Sequence, residues 1–145
     1  MNYSVEIEID KPIDEVIELF DSTENMSKWM EGLQSFEPLS GTPGEEGAKS
    51  RLKFDMNGRQ IEMVETITKK NLPDEFTGTY EADGVFNIVK NTFISEDMGT
   101  TRWISKNEFQ FNSFPMKIMG FLMPGMFRKQ SLKNLESFKE FAESE

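Results

Sequence analysis

From Tyr3 to Asp10 apolar and polar residues alternate, Tyr3, Val5, Ile7 and Ile9 against Ser4, Glu6, Glu8 and Asp10. This is the period of a strand with one face buried and one in water. At Pro12 the period lengthens: Ile13, Val16, Ile17 and Phe20 fall at i, i+3, i+4 and i+7, which predicts a short amphipathic helix with proline in its first turn. Ser22 to Asn25 interrupts it, and Met26 to Met30, with Trp29, predicts a second brief helix before Gly32. The Gly-Thr-Pro-Gly-Glu-Glu-Gly run from Gly41 to Gly47 is turn chemistry. Behind it Ala48, Ser50, Leu52, Phe54 and Met56 alternate with Lys49, Arg51, Lys53 and Asp55, and Asn57-Gly58 supplies a tight hairpin turn. The return strand, about Arg59 to Thr68, carries Ile61, Met63, Glu65 and Ile67 on one face. Leu72-Pro73-Asp74 ends it; Phe76 to Ala82 predicts another strand, Asp83-Gly84 a hairpin, and Val85 to Ile94 the strand that follows. Beyond the polar turn Ser95 to Gly99, the residues Thr101, Trp103, Ser105, Asn107, Phe109 and Phe111 share one face of a last strand. Phe114-Pro115 stops the sheet, and Pro124-Gly125 divides the helical remainder into an apolar piece and a longer amphipathic one. In the latter Leu132, Leu135, Phe138 and Ala142 keep one face.

Strand, two short helices, hairpin-linked strands and one long helix make an α+β fold. The chain of 145 residues, with no repeat and no long linker, predicts a single domain over 1–145. Five stretches stand in a telling order: Val5-Glu6-Ile7-Glu8-Ile9; Lys11-Pro12-Ile13-Asp14-Glu15-Val16; Trp29-Met30-Glu31-Gly32-Leu33; Pro43-Gly44-Glu45-Glu46-Gly47; and Leu132-Lys133-Asn134-Leu135-Glu136. In that order and at those spacings the chain resembles the START/Bet v 1-like (SRPBCC) superfamily, most of all its polyketide cyclase/dehydrase-like branch. The resemblance implies a helix-grip fold, a curved antiparallel β-sheet wrapped around a long C-terminal helix, with two short helices after the first strand. It also implies binders of lipids, polyketides and hormones, with occasional enzymes among them.

Composition narrows the chemistry. Cysteine and histidine are both absent, so there is no disulfide, no thiolate metal site and no imidazole base. A cyclase or dehydratase built on this chain needs a carboxylate or tyrosine as its proton-transfer group. No cofactor or metal is implied. Twenty-six acidic against 16 basic residues give a formal charge of −10, which repels phosphate backbones and anionic lipid headgroups over the surface as a whole and argues against nucleic acid. The N-terminus lacks the basic start and apolar run of a secretory signal, so cytoplasm is expected. The segment Phe114 to Phe127 is broken by Pro115, Lys117, Gly120, Pro124 and Gly125, and falls short of the about 20 residues a membrane span needs. No stable membrane insertion is expected.

In a sheet that grips a helix, inward strand residues meet the helix around an interior space. The expected apolar wall is Phe54, Met56, Met63, Trp103 and Phe109 from the strands, with Met119, Met123 and Phe127 from the helical end. Ten methionines and 13 phenylalanines suit an adaptable apolar pocket, although such residues also fill ordinary cores. Polar residues on the same faces are more telling: Glu65 between Met63 and Ile67, and Ser105 and Asn107 between Trp103 and Phe109. Facing inward, they pair with one another, hold water or meet a ligand's polar end; a bulge at Glu65 instead turns it to solvent. Glu65 and Tyr80 are the candidate catalytic groups, and both, with Ser105 and Asn107, the candidate polar ligand contacts. The segment 114–127 is either a core helix kinked at Pro124, a mobile lid over the cavity mouth, or an apolar patch around Met116, Met119 and Met123 for a partner or a membrane surface, the membrane version being disfavoured by the acidic total. Arg128, Lys129 and Lys133 are expected to pair with Glu136 and Glu140. Three functions follow. The first is binding a small hydrophobic or amphipathic molecule, the second a cyclase/dehydratase-type reaction, and the third a co-chaperone-like protein-interaction module using the outer surface.

Overall fold

The computed structural model describes residues 1–145. Strand β1 (Asn2–Ile9) leads into helix α1 (Ile13–Phe20), a short turn of 3-10 helix and helix α2 (Met26–Trp29). Strands β2 (Leu33–Ser40), β3 (Lys49–Met56), β4 (Arg59–Asn71), β5 (Glu75–Ala82), β6 (Val85–Asp97) and β7 (Thr100–Phe111) follow, then helices α3 (Phe114–Leu122) and α4 (Pro124–Ser144). The strands form one curved sheet in the order β1-β7-β6-β5-β4-β3-β2, every neighbouring pair antiparallel. This is the helix-grip architecture, with α4 laid along β1 and its Leu135, Phe138 and Ala142 buried.

The alternation in β1 sends Val5 and Ile9 inward, opposite Ser105 and Thr101 of β7. Trp103 lies at the centre of the core, stacked on Phe93 at 5.4 Å and met edge-on by Trp29 at 6.2 Å and Phe138 at 5.3 Å. Val16 of α1 and Trp29 of α2 close the same cluster, so the two short helices plug one end of the grip.

Three features depart from the sequence pattern. Strand β2 was not signalled, because it is an edge strand with two register shifts and Pro38, and only Leu33 and Phe36 are even half-buried. Without a consistently buried face it shows no period of two. Strands β4 and β6 run on to Asn71 and Asp97 because their ladder continues through polar residues, the exposed Lys69 and half-buried Lys70 opposite Thr77 and Phe76 among them. The apolar piece is not a core helix: α3 has no buried residue. Met123, held before Pro124 at φ −133° and ψ 54°, breaks the helix and separates α3 from α4.

Candidate functional site

Between the concave side of the sheet and α4 lies a cavity of about 400 Å³, within the roughly 300–1,000 Å³ range of small-molecule sites. One rung of the sheet crosses its wall from β3 to β7: Ser50 opposite Glu65, Glu65 opposite Tyr80, Tyr80 opposite Asn87, Asn87 opposite Phe109. The next rung places Gly78 between Ile67 and Val89. A Cβ there would stand 3.4 Å from the Tyr80 hydroxyl, at the edge of ordinary contact.

Glu65 faces the cavity and is only 6% exposed. The Tyr80 hydroxyl donates to its Oε2 at 2.8 Å. Burial raises the Glu65 carboxyl above the usual carboxylate range, and the Tyr80 hydrogen bond offsets part of that rise. Burial, together with the neighbouring Glu65 charge and the hydrogen bond it donates, pushes the Tyr80 phenol well above its ordinary value. The arrangement is therefore a neutral phenol donating to an acid that is reluctant to ionise.

The other inward polar groups are largely spoken for. Asn107 Nδ2 donates to Ser105 Oγ at 3.2 Å. Asn91 accepts from Trp103 Nε1 at 2.9 Å and donates to the Phe76 carbonyl at 3.2 Å, which fixes the indole and makes Asn91 a positioning residue. Two buried atoms near the cavity have no partner in the protein, the Asn87 Oδ1 acceptor and the Trp29 Nε1 donor. From α4, Gln130, Ser131 and Asn134 reach the wall, and the Tyr3 hydroxyl bonds Ser131 Oγ at 2.7 Å, tying β1 to the helix. The lining contains three carboxylates, Asp21, Glu31 and Glu65, and neither lysine nor arginine.

At one margin Asp21, Ser22, Thr23 and Gly44 line the opening. Lys70 bonds Asp21 and Glu45, each at 3.0 Å, and the Gly44 carbonyl at 2.9 Å, holding the glycine-rich turn against the end of α1. Lys70→Met is expected to lower stability by about 0.5–1 kcal/mol, with the deficit narrowing at high salt in thermal melts.

Of the residues expected on the wall, Phe54, Met56, Met63, Trp103, Phe109 and Phe127 lie there. So do Glu65, Tyr80, Ser105 and Asn107. Met119 and Met123 do not, and this corrects their placement. Met119 belongs to α3, which packs at the sheet's end with Gly120 against the Phe111 ring, beside the cavity and not in its wall, and Met123 is the exposed break between helices. Sequence reasoning passed over Phe20, Met26, Trp29 and Met30 of the short helices, and Asn87 and Asn91 of β6. The two asparagines were visible as polar interruptions in the alternation Val85, Val89, Phe93.

Solved structures of the same fold span nearly the whole chain. The Zhui aromatase/cyclase from a Streptomyces species superposes with a TM-score of 0.82 at 14% identity, covering 99% of this chain and 93% of that one. Ara h 8.0201 gives 0.76 at 14% identity over 100% and 99%. Norcoclaurine synthase from Thalictrum flavum, in complex with dopamine and hydroxybenzaldehyde, gives 0.73 at 12% identity over 97% and 85%. At such identities these likenesses establish the Bet v 1-like fold and nothing finer. No curated protein matches the chain at a significant level. The profile of one family, described as polyketide cyclase / dehydrase and lipid transport, matches residues 1–143, and the chain belongs to that family.

Proposed function

We propose that this protein binds a small hydrophobic or amphipathic molecule, a lipid, polyketide or similar compound, between its sheet and α4. The carrying observation is the cavity of about 400 Å³ whose apolar wall is interrupted by one buried hydrogen-bonded acid and phenol, Glu65 and Tyr80. Phe54, Met56, Met63, Phe109 and Phe127 grip the apolar body, while Glu65, Tyr80, Ser105 and Asn107 orient the polar end. No cofactor takes part in this reading, and we place the binder in the cytoplasm. Because the lining has carboxylates and no base, neutral, hydroxylated or amine-bearing ligands are favoured over fatty acids and other carboxylates.

The test is native mass spectrometry of protein purified from its source, with thermal shifts across a panel of lipids, aromatic polyketides, amines and carboxylates. A ligand at 100 times its Kd adds about 2.7 kcal/mol, a Tm rise of roughly 5–10 °C for a chain of this size. Preference for neutral or amine compounds over matched carboxylates is expected. No bound species and no shift with any class defeats the proposal.

The Tyr80–Glu65 hydrogen bond also favours a second reading, a cyclase- or dehydratase-type enzyme in which Glu65 transfers the proton. Dopamine and hydroxybenzaldehyde, the molecules bound to the norcoclaurine synthase neighbour, belong on the substrate panel for this reason. Glu65→Gln should then abolish turnover while leaving binding of the apolar body in place.

A further inference from the structure

Six of the nine large apolar side chains exposed on this protein fall within 114–126. Phe114, Ile118, Phe121 and Leu122 stand at i, i+4, i+7 and i+8 along α3 and form one stripe, with Phe114 at 74% exposure, Phe121 at 85% and Leu122 at 67%. The stripe runs on through the exposed Met123 and Met126. The opposite side of α3 is anchored: Gly120 abuts the Phe111 ring, Met116 lies beside Gly84, and Ser113 caps the helix by accepting from the Met116 amide. The outward stripe is therefore held in place with nothing covering it.

Charge is also uneven along this stretch of the chain. Between Glu108 and Glu136 the only charged residues are Lys117, Arg128, Lys129 and Lys133, four bases and no acid in a chain of net charge −10. None of the four forms a salt bridge, so the expected pairing of Arg128, Lys129 and Lys133 with Glu136 and Glu140 does not occur. The turn on which α3 packs adds one acid, Asp83, beside Gly84.

We propose that the α3 stripe and these four bases form a docking surface for an anionic lipid bilayer. An interfacial helix sinks its apolar face about 5–10 Å into the headgroup boundary, while lysine and arginine stems extend upward to the phosphates. Here the protein body occupies the side of α3 that water covers in a free amphipathic helix. The stripe is the outer, convex side of a helix and offers no pocket for a protein anchor residue, which favours a lipid surface over an acidic protein partner. The repulsion of anionic headgroups expected from the net charge of −10 is overridden locally, because exposed charges more than about 8 Å away are largely screened at physiological salt. The stripe also runs directly into the first turns of α4, whose Phe127, Gln130 and Ser131 line the cavity, so a docked protein presents that wall close to the lipid. The docking surface is independent of what the cavity holds.

The test is co-flotation of the full chain with vesicles of phosphatidylcholine alone and of phosphatidylcholine mixed with phosphatidylserine. Binding is expected to the mixed vesicles only, falling with salt. Neutralising Lys117, Arg128 and Lys129 to Gln should weaken it about fivefold per charge. Phe121→Asp with Leu122→Asp should abolish it; both sites are exposed, so an unchanged melting curve and unchanged cavity-ligand shifts confirm that fold and cavity are intact. Equal retention on both vesicle types, no retention on either, or indifference to the aspartates overturns the proposal. So does a dimer in sedimentation that the aspartates dissociate, which would mean that a second copy covers the stripe.

Discussion

Phe138→Ala is expected to cost about 3–5 kcal/mol, the largest stability loss of any single truncation considered. Phe138 is fully buried on α4, with Trp29, Trp103 and Phe20 edge-on to it at 5.1, 5.3 and 5.9 Å. These neighbours come from α2, β7 and α1, so no single element can move in to refill the space. Domains of this size hold only about 5–15 kcal/mol in total, so the variant should unfold at a much lower urea midpoint with little change in m. Phe121→Ala, the same chemical change on the exposed stripe of α3, should stay within about 0.5 kcal/mol. A Phe138→Ala loss below about 1 kcal/mol would contradict the packing described.

Glu65→Gln carries the second large effect, and its sign depends on pH. The folded-state pKa of Glu65 is raised from the ordinary 4.5 by burial. Its favourable contribution is thus complete below the unfolded value and is lost as pH rises through the higher folded value. Every tenfold difference in proton affinity between the folded and unfolded chains is worth about 1.4 kcal/mol. Glutamine is uncharged and can still accept from the Tyr80 hydroxyl. The variant should therefore match the wild type in acid and gain on it progressively above pH 4.5. Chemical denaturation of both proteins across pH reads this difference directly. Glu75 and Glu143, whose carboxyls are lowered by hydrogen bonds from Thr77 and Lys139, impose an opposite slope at more acid pH, which cancels in the comparison. The stability gain should come with weaker capture of amine-bearing ligands, or with lost turnover if the protein is an enzyme. Parallel pH curves would mean that Glu65 is solvated after all.

Much of the fold was legible because the chain's local patterns agree with its tertiary structure. The alternation in β1, β3 and β7 and the helical stripe Leu132, Leu135, Phe138, Ala142 report burial on one side, which is what the structure shows. The Glu65 face could be read for the same reason: it shares the parity of Met63 and Ile67, and no bulge intervenes between them. What failed to read lies where burial does not control the pattern. Strand β2 pairs through its backbone at a wet, irregular edge. The apolar residues of α3 look like core in the sequence, yet the break at Met123 separates the helix from α4 and leaves it with no buried residue, and hydrophobicity alone cannot say which apolar helix will be covered. The contributions of α1 and α2 to the cavity come from long-range packing that no local spacing encodes.

The outermost strand has a further consequence for how copies of this chain treat one another. An open sheet ends in a row of free amide and carbonyl groups, a template on which a straight strand from a neighbouring copy can grow. Along β2 that row is bent at Leu33/Ser35 and again at Pro38/Ser40, and Pro38 contributes no amide hydrogen. A second molecule arriving there meets an interrupted pattern of donors, so fibrillar growth along β2 has no continuous seam to follow.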